Sequence, residues 1–195
     1  MEPIVLASTS PRRQEILKEL GIPFRVMTPD YDEPDMPDLE PESVAELHSM
    51  KKLESVMRAQ TDINAPWILG ADTLISLGGK VYGKPANRDD AERMLRDFSG
   101  KSHSVITGIS LFDAKINFIS SRTSVSTVTF MRLDDRQIEA YLDTGEWQGV
   151  AGAYRIQGLA ACFIERIEGS WSGIVGLPIH DLYAILREHG YEFTV

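Results

Sequence analysis

The chain reads as a mixed α/β domain around one long central sheet with a cleft, on three observations. Short apolar runs such as Ile4-Val5-Leu6-Ala7 and Trp67-Ile68-Leu69-Gly70-Ala71 have the unbroken hydrophobicity of buried strands. Amphipathic helical segments alternate with such strands along the whole length, without repeats, heptads or low-complexity tracts. Finally, 195 residues, 43% hydrophobic and 25% charged, suffice for a substantial core. A single domain over residues 1–195 is expected.

The first strand turns through Ser8-Thr9-Ser10-Pro11 into an amphipathic segment ending at Gly21. Ser10 suits the N-cap and Pro11 the first helical position, where a missing N–H is no loss. Arg12 and Arg13 then fall in the first turn. A helix N-terminus already carries about half a positive charge, so two cations there oppose the dipole unless an anion sits among them. Ser8, both arginines and free backbone N–H groups together compose a phosphate site. Solvated surface arginines are the other reading of the same string.

Phe24 to Met27 is a second strand, followed by a loop, Pro29 to Glu40, rich in Asp, Glu and Pro and carrying Glu33. Pro41-Glu42-Ser43 opens a second helix with Val44, Leu47, Met50 and Met57 near one face. Lys52 projects away from that stripe and is expected to be exposed unless another segment folds over it. The Trp67 strand is expected to end on Asp72-Thr73. A carboxylate there is a site candidate, because burying even a neutral polar group unpaired costs roughly 2–7 kcal/mol. Capping of the strand end is the structural alternative.

Gly78-Gly79 marks a hairpin, after which Lys84 is held between Gly83 and Pro85. Asn87 caps a helix from Arg88 to Phe98 that turns Ala91, Met94, Leu95 and Phe98 inward and stops at Gly100. His103–Phe112 and Phe118–Met131 are strands joined at Asp113-Ala114-Lys115, the second of them half-exposed. Asp134 caps a helix from Gln137 to Asp143. A strand from Cys162 to Ile167 then precedes Gly173–Pro178 and a last helix holding Leu182, Ile185 and Leu186.

Composition narrows the function. With a net charge of −9 and no extended basic face, the chain is poorly suited to nucleic acid, although a small polyphosphate can bind where a few cations converge with a divalent metal. No segment approaches the ~20 apolar residues of a membrane span. Met1-Glu2-Pro3 lacks the start of a secretory signal, so a cytoplasmic location is expected. Cys162, the single cysteine, sits in Leu159-Ala160-Ala161-Cys162-Phe163-Ile164 and reads as a small core residue rather than a nucleophile. Nucleotide-binding glycine loops and a Gly-x-Ser-x-Gly turn are missing, and four histidines show no zinc spacing. What remains is Ser8, Arg12, Arg13, Glu33, Lys52, Asp72, Lys84 and Gln157. Cations plus carboxylates are the equipment for metal-assisted attack on a phosphoryl group.

Leu6-Ala7-Ser8 through Leu17, Gly70-Ala71-Asp72-Thr73, Gly83-Lys84-Pro85, Ser99-Gly100-Lys101, Ala151–Tyr154 with Ile156-Gln157-Gly158, and Val175-Gly176-Leu177-Pro178 resemble the Maf family of nucleoside triphosphate pyrophosphatases. The blocks occur in the family's order over nearly the whole chain. The resemblance implies a two-lobed α/β molecule with a central sheet and cleft, related to inosine triphosphatase-like (Ham1-type) house-cleaning enzymes. It also implies a homodimer that cuts a nucleotide between its α and β phosphates with Mg²⁺ or Mn²⁺.

On the matching positions, the resemblance makes Ser8, Arg12 and Arg13 triphosphate binders and Asp72 the proton acceptor. Glu33, Lys52 and Lys84 act beside it, and Glu33 with Asp72 hold the metal. Arg12, Thr73 and Gln157 match the pattern that accompanies action on dTTP and UTP. The chain departs from the family at Val150 before Ala151-Gly152, where lysine is usual, at Arg155, where glycine is commoner, and at Leu53 after Lys52, where alanine is usual. Those departures keep 7-methyl-GTP or another non-standard nucleotide as an alternative substrate. The family's association with arrested cell division supplies a reading of another class, a non-catalytic nucleotide-binding septum regulator.

Overall fold

The structure, a computed structural model, describes residues 1–59 and 66–193. Its strands are β1 (Ile4–Ala7), β2 (Phe24–Val26), β3 (Trp67–Leu77), β4 (Lys80–Tyr82), β5 (Ser102–Asp113), β6 (Phe118–Phe130) and β7 (Ile164–Glu168). Its helices are α1 (Pro11–Glu19), α2 (Pro41–Ala59), α3 (Arg88–Phe98), α4 (Asp135–Asp143), α5 (Trp171–Val175) and α6 (Ile179–Glu188). The strands form one mixed sheet in the order β2-β1-β3-β5-β6-β7, with β4 added to β3. β1 runs parallel to both its neighbours and the remaining pairs are antiparallel. The fold is the mixed α/β arrangement expected. Among the described residues no helix is long and apolar enough to cross a membrane.

Two large apolar clusters lie towards opposite ends of this sheet. One gathers Phe98, Phe130, Tyr141 and Tyr154 under α3 and α4; the other gathers Leu6, Leu17, Leu69 and Leu182 under α1 and α6. Val175 packs against both, so the segment that carries it joins the lobes.

Several local readings hold. Asn87 caps α3 by accepting from the Asp90 N–H, and Asp134 forms a capping box with Gln137. Others are corrected. Ser10 occupies the N-cap of α1 but its side chain makes no capping bond; its N–H donates instead to the Ser8 hydroxyl at 3.3 Å. Cys162 is exposed, because Leu159–Phe163 is a 3-10 turn that buries Ala160, and the strand begins only at Ile164.

The largest correction concerns α2. Its inward residues include Val44, Ala45, Ser49, Lys52, Leu53 and Val56, whereas Leu47, Met50 and Met57 are only partly buried. The cause is how closely the helix backbone approaches the sheet. A Cβ on Gly70 would lie 2.1 Å from the Ser49 carbonyl oxygen, and one on Gly108 2.4 Å from that of Ala45. Ala45 and Ser49 present their backbone carbonyls at these two points, with Val44, Lys52, Leu53 and Val56 buried around them. The face that periodicity assigns to solvent is therefore the face against β3 and β5, and Lys52 lies on it.

Candidate active site

β3 does not end at Ala71 but continues through Asp72 and Thr73 to Leu77. What changes along it is its neighbour. β1 pairs with β3 as far as Gly70, and β4 takes up the same strand only at Ile75. Asp72 and Thr73 stand between those two pairings, opposite the turn that follows β1. The alternation of side chains along a strand sends them to opposite faces. Asp72 points to α2 with Gly70, and Thr73 points to α1 with Ala71.

On the α2 face, Lys52 Nζ lies 2.6 Å from Asp72 Oδ1 and 2.6 Å from Glu33 Oε1. Lys52 and Asp72 are buried, whereas Glu33 remains largely open to solvent. Two carboxylates from distant segments thus share one ammonium, which offsets the desolvation of Asp72. The loop bearing Glu33 is tied to α2 by the Tyr31 hydroxyl, 2.9 Å from His48 Nδ1.

On the other face, buried Arg13 donates from Nε to the Gly176 carbonyl at 2.8 Å, and from its terminal nitrogens to Ser8 Oγ at 2.8 Å and Thr73 Oγ1 at 3.1 Å. Thr107 gives its hydroxyl proton to the Gly173 carbonyl at 2.8 Å. Thr73 must therefore donate to Thr107 across their 2.9 Å contact, forming a directed chain from α1 through β3 and β5 to α5. Arg13 is thus chiefly a clamp, with two of its five donors left for a ligand. Burial pushes its pKa down, and the Asp72 carboxylate opposes that shift. Ser8 Oγ accepts from Arg13 and from the Ser10 N–H, so its own proton is available for an anion. The uncapped N-terminus of α1 opens beside it.

These side chains line one cleft of about 310 Å³, which Lys84 and Gln157 complete from the opposite wall. All nine residues singled out from the sequence meet there: Ser8, Arg12, Arg13, Glu33, Lys52, Asp72, Thr73, Lys84 and Gln157. The Gly152 N–H donates to the Gly83 carbonyl at 3.0 Å, fixing the Gln157 turn against the segment that carries Lys84. Sequence reasoning did not assign roles to Thr107, His48 or Arg155. Arg155 lines the cleft, and its only signal was a departure from the family pattern. Five cations and two carboxylates line this cleft on a chain whose net charge is −9. The arrangement suits a compact polyanion.

Residues 3–189 match the Maf family, described as Maf-like protein. The chain belongs to the Maf family. Among curated relatives, the dTTP/UTP pyrophosphatase of Treponema denticola is 43% identical over 96% of this chain and 97% of its own length. Those of Pelotomaculum thermopropionicum and Desulforamulus reducens are 41% and 43% identical, the former over 98% of this Maf chain and 99% of its own, the latter over the full length of both. Among solved structures, the Staphylococcus aureus Ham1 protein is similar with a TM-score of 0.45 and 15% identity, over 66% of this chain and 72% of that one.

Proposed function

We propose that this Maf protein hydrolyses dTTP and UTP to the monophosphate and pyrophosphate. The observation that carries the reading is the meeting of Asp72 and Glu33 on Lys52 in a cleft that Arg12, Arg13, Lys84 and Arg155 also line. Relatives over 40% identical that are named dTTP/UTP pyrophosphatases support the substrate. The Arg12, Thr73 and Gln157 pattern points the same way.

The phosphates lie against the α1 N-terminus, with Arg12, Arg13 and Lys84 balancing their charge and the Ser8 hydroxyl donating to an oxygen. Asp72 accepts a proton from the attacking water. The water oxygen bonds to the α-phosphorus, the bond from that phosphorus to the α–β bridging oxygen breaks, and its electron pair leaves with pyrophosphate. Lys52, 2.6 Å from Asp72 Oδ1, holds the carboxylate in place to receive that proton.

A hard divalent cation fits the donor set. Mg²⁺ binds through one or two carboxylates plus substrate phosphates, and two carboxylates are what the cleft offers. Among the described residues no cluster of three or more acidic, histidine or cysteine ligands occurs, so a metal held there would take oxygens of the substrate as further ligands. Glu33 and Asp72 would hold Mg²⁺ or Mn²⁺, which when bound supplies further charge neutralisation at the phosphates. Assembly as a homodimer belongs to the same reading through the family resemblance, and residence in the cytoplasm through the lack of a secretory start at Met1-Glu2-Pro3. Light scattering of the purified chain tests the first.

The deciding experiment is pyrophosphate release from dTTP, UTP, CTP and 7-methyl-GTP with Mg²⁺ or Mn²⁺, comparing wild type with Asp72→Asn. dTTP and UTP are expected to be turned over fastest by wild type alone. Faster release from 7-methyl-GTP than from both overturns the substrate, and release that survives Asp72→Asn overturns the mechanism.

A further inference from the structure

The turn before Gln157 carries a charge that the scheme above does not use. Gly152 (φ 68°) and Ala153 (φ 61°) both adopt left-handed backbone, which a buried alanine accepts only when its surroundings enforce it. Arg155 follows on a backbone anchored to α4, its N–H donating to the Tyr141 hydroxyl at 3.2 Å. Arg155 lines the cleft that Arg12 also lines. Its one recorded bond, from a terminal nitrogen to the Gln148 carbonyl, is long at 3.3 Å. Its Nε is buried without a partner.

A guanidinium with an orphaned donor has a standing need for an acceptor. Arg88, Arg93, Arg96, Arg122 and Arg166 each find a carboxylate. Among the described residues the arginines of the cleft, Arg12, Arg13 and Arg155, join no ion pair. They face each other's charge instead. Burial first, and Arg155 second, push the Arg12 pKa below the usual arginine range, with Glu15 opposing. Arg13 is influenced by Asp72, Arg12 and Glu33, whereas Arg12 is influenced by Arg155 and Glu15. Within the cleft the carboxylates Asp72 and Glu33 thus act on Arg13, whereas the charge that acts on Arg12 is that of Arg155.

We propose that Arg155 and Arg12 form a second anion-binding point that takes the terminal phosphate of a nucleoside triphosphate and retains it in the departing pyrophosphate. The substrate rests on the pyrophosphatase reading; the anion point does not. With the α-phosphorus beside Asp72, the distal phosphates extend towards Arg12 and Arg155, whose guanidiniums donate to their oxygens.

The test is calorimetric binding of inorganic pyrophosphate with Mg²⁺ to the full chain, alongside steady-state kinetics on dTTP, for wild type, Arg155→Ala and Arg155→Lys. Arg155→Ala is expected to weaken pyrophosphate binding about tenfold or more, and to raise KM for dTTP more than it lowers kcat. Arg155→Lys recovers only part, since an ammonium has charge but no fork. Thermal unfolding confirms that both variants are folded, and the lysine variant remains informative if the alanine variant is not. Pyrophosphate affinity within twofold of wild type in both variants overturns the proposal while leaving turnover, and so the pyrophosphatase reading, intact. A wild type that releases nothing from any nucleotide yet binds pyrophosphate through Arg155 overturns that reading and keeps the anion point.

Discussion

Lys52 on α2 and Asp72 on β3 meet at 2.6 Å in a buried contact. Removing the lysine alone leaves a carboxylate buried without its cation. Lys52→Met is expected to lower stability by about 3–5 kcal/mol, and Lys52→Met with Asp72→Asn to be more stable than Lys52→Met alone. Urea denaturation of the two variants measures this, and a double variant less stable than the single one contradicts the pairing.

Asp72→Asn keeps the shape of the side chain and removes its basicity. Pyrophosphate release is expected to fall by about 10²–10⁴-fold, with little change in the binding of a non-hydrolysable nucleotide measured without divalent metal. Retained turnover would move the proton acceptor elsewhere.

Chelation of divalent metal is expected to reduce pyrophosphate release to background, and added Mg²⁺ or Mn²⁺ to restore it. Glu33→Gln should raise the metal concentration for half-maximal activity by at least the roughly tenfold typical of outer-shell partners of metal ligands. A metal titration unchanged by Glu33→Gln removes that residue from the metal site.

Gly70→Ala inserts a Cβ where the Ser49 carbonyl oxygen would be 2.1 Å away and Leu53 Cβ 2.9 Å. Neither is the end of a flexible side chain, so α2 must move, at an expected cost of about 1–3 kcal/mol or more. Because α2 carries Lys52, activity should fall with stability. A variant with wild-type denaturation midpoint and turnover would show that the helix does not need this approach.

His103 lies against Phe98, Phe130 and Tyr154, with ring centroids at 4.4, 5.2 and 5.5 Å, and its Nε2 is 2.8 Å from the Tyr154 hydroxyl. Burial pushes its pKa down to about 4, against about 6.5 in an unfolded chain. Between those values the unfolded state takes up a proton that the folded state refuses, so stability falls as pH drops from about 6.5 towards 4, by up to about 3 kcal/mol. Urea unfolding at pH 7 and pH 4.5 is expected to show a smaller difference for His103→Gln than for wild type.

The sequence by itself determined the order of the strands and of every helix but α5, the caps at Asn87 and Asp134, the hairpin at Gly78-Gly79 and the set of residues that gather in the cleft, because these depend on local chemistry and on motifs read in place. Tertiary structure alone decided the orientation of α2, the passage of β3 through Asp72 and the exposure of Cys162. Lys52 shows the reason. Helical periodicity records where apolar residues lie, but the helix here is docked by the absence of side chains at Gly70 and Gly108, which sit in other strands. A backbone contact between segments leaves no periodic trace in either one. The gap between the β1 and β4 pairings, which puts Asp72 on one face and Thr73 on the other, likewise exists only once three strands are assembled.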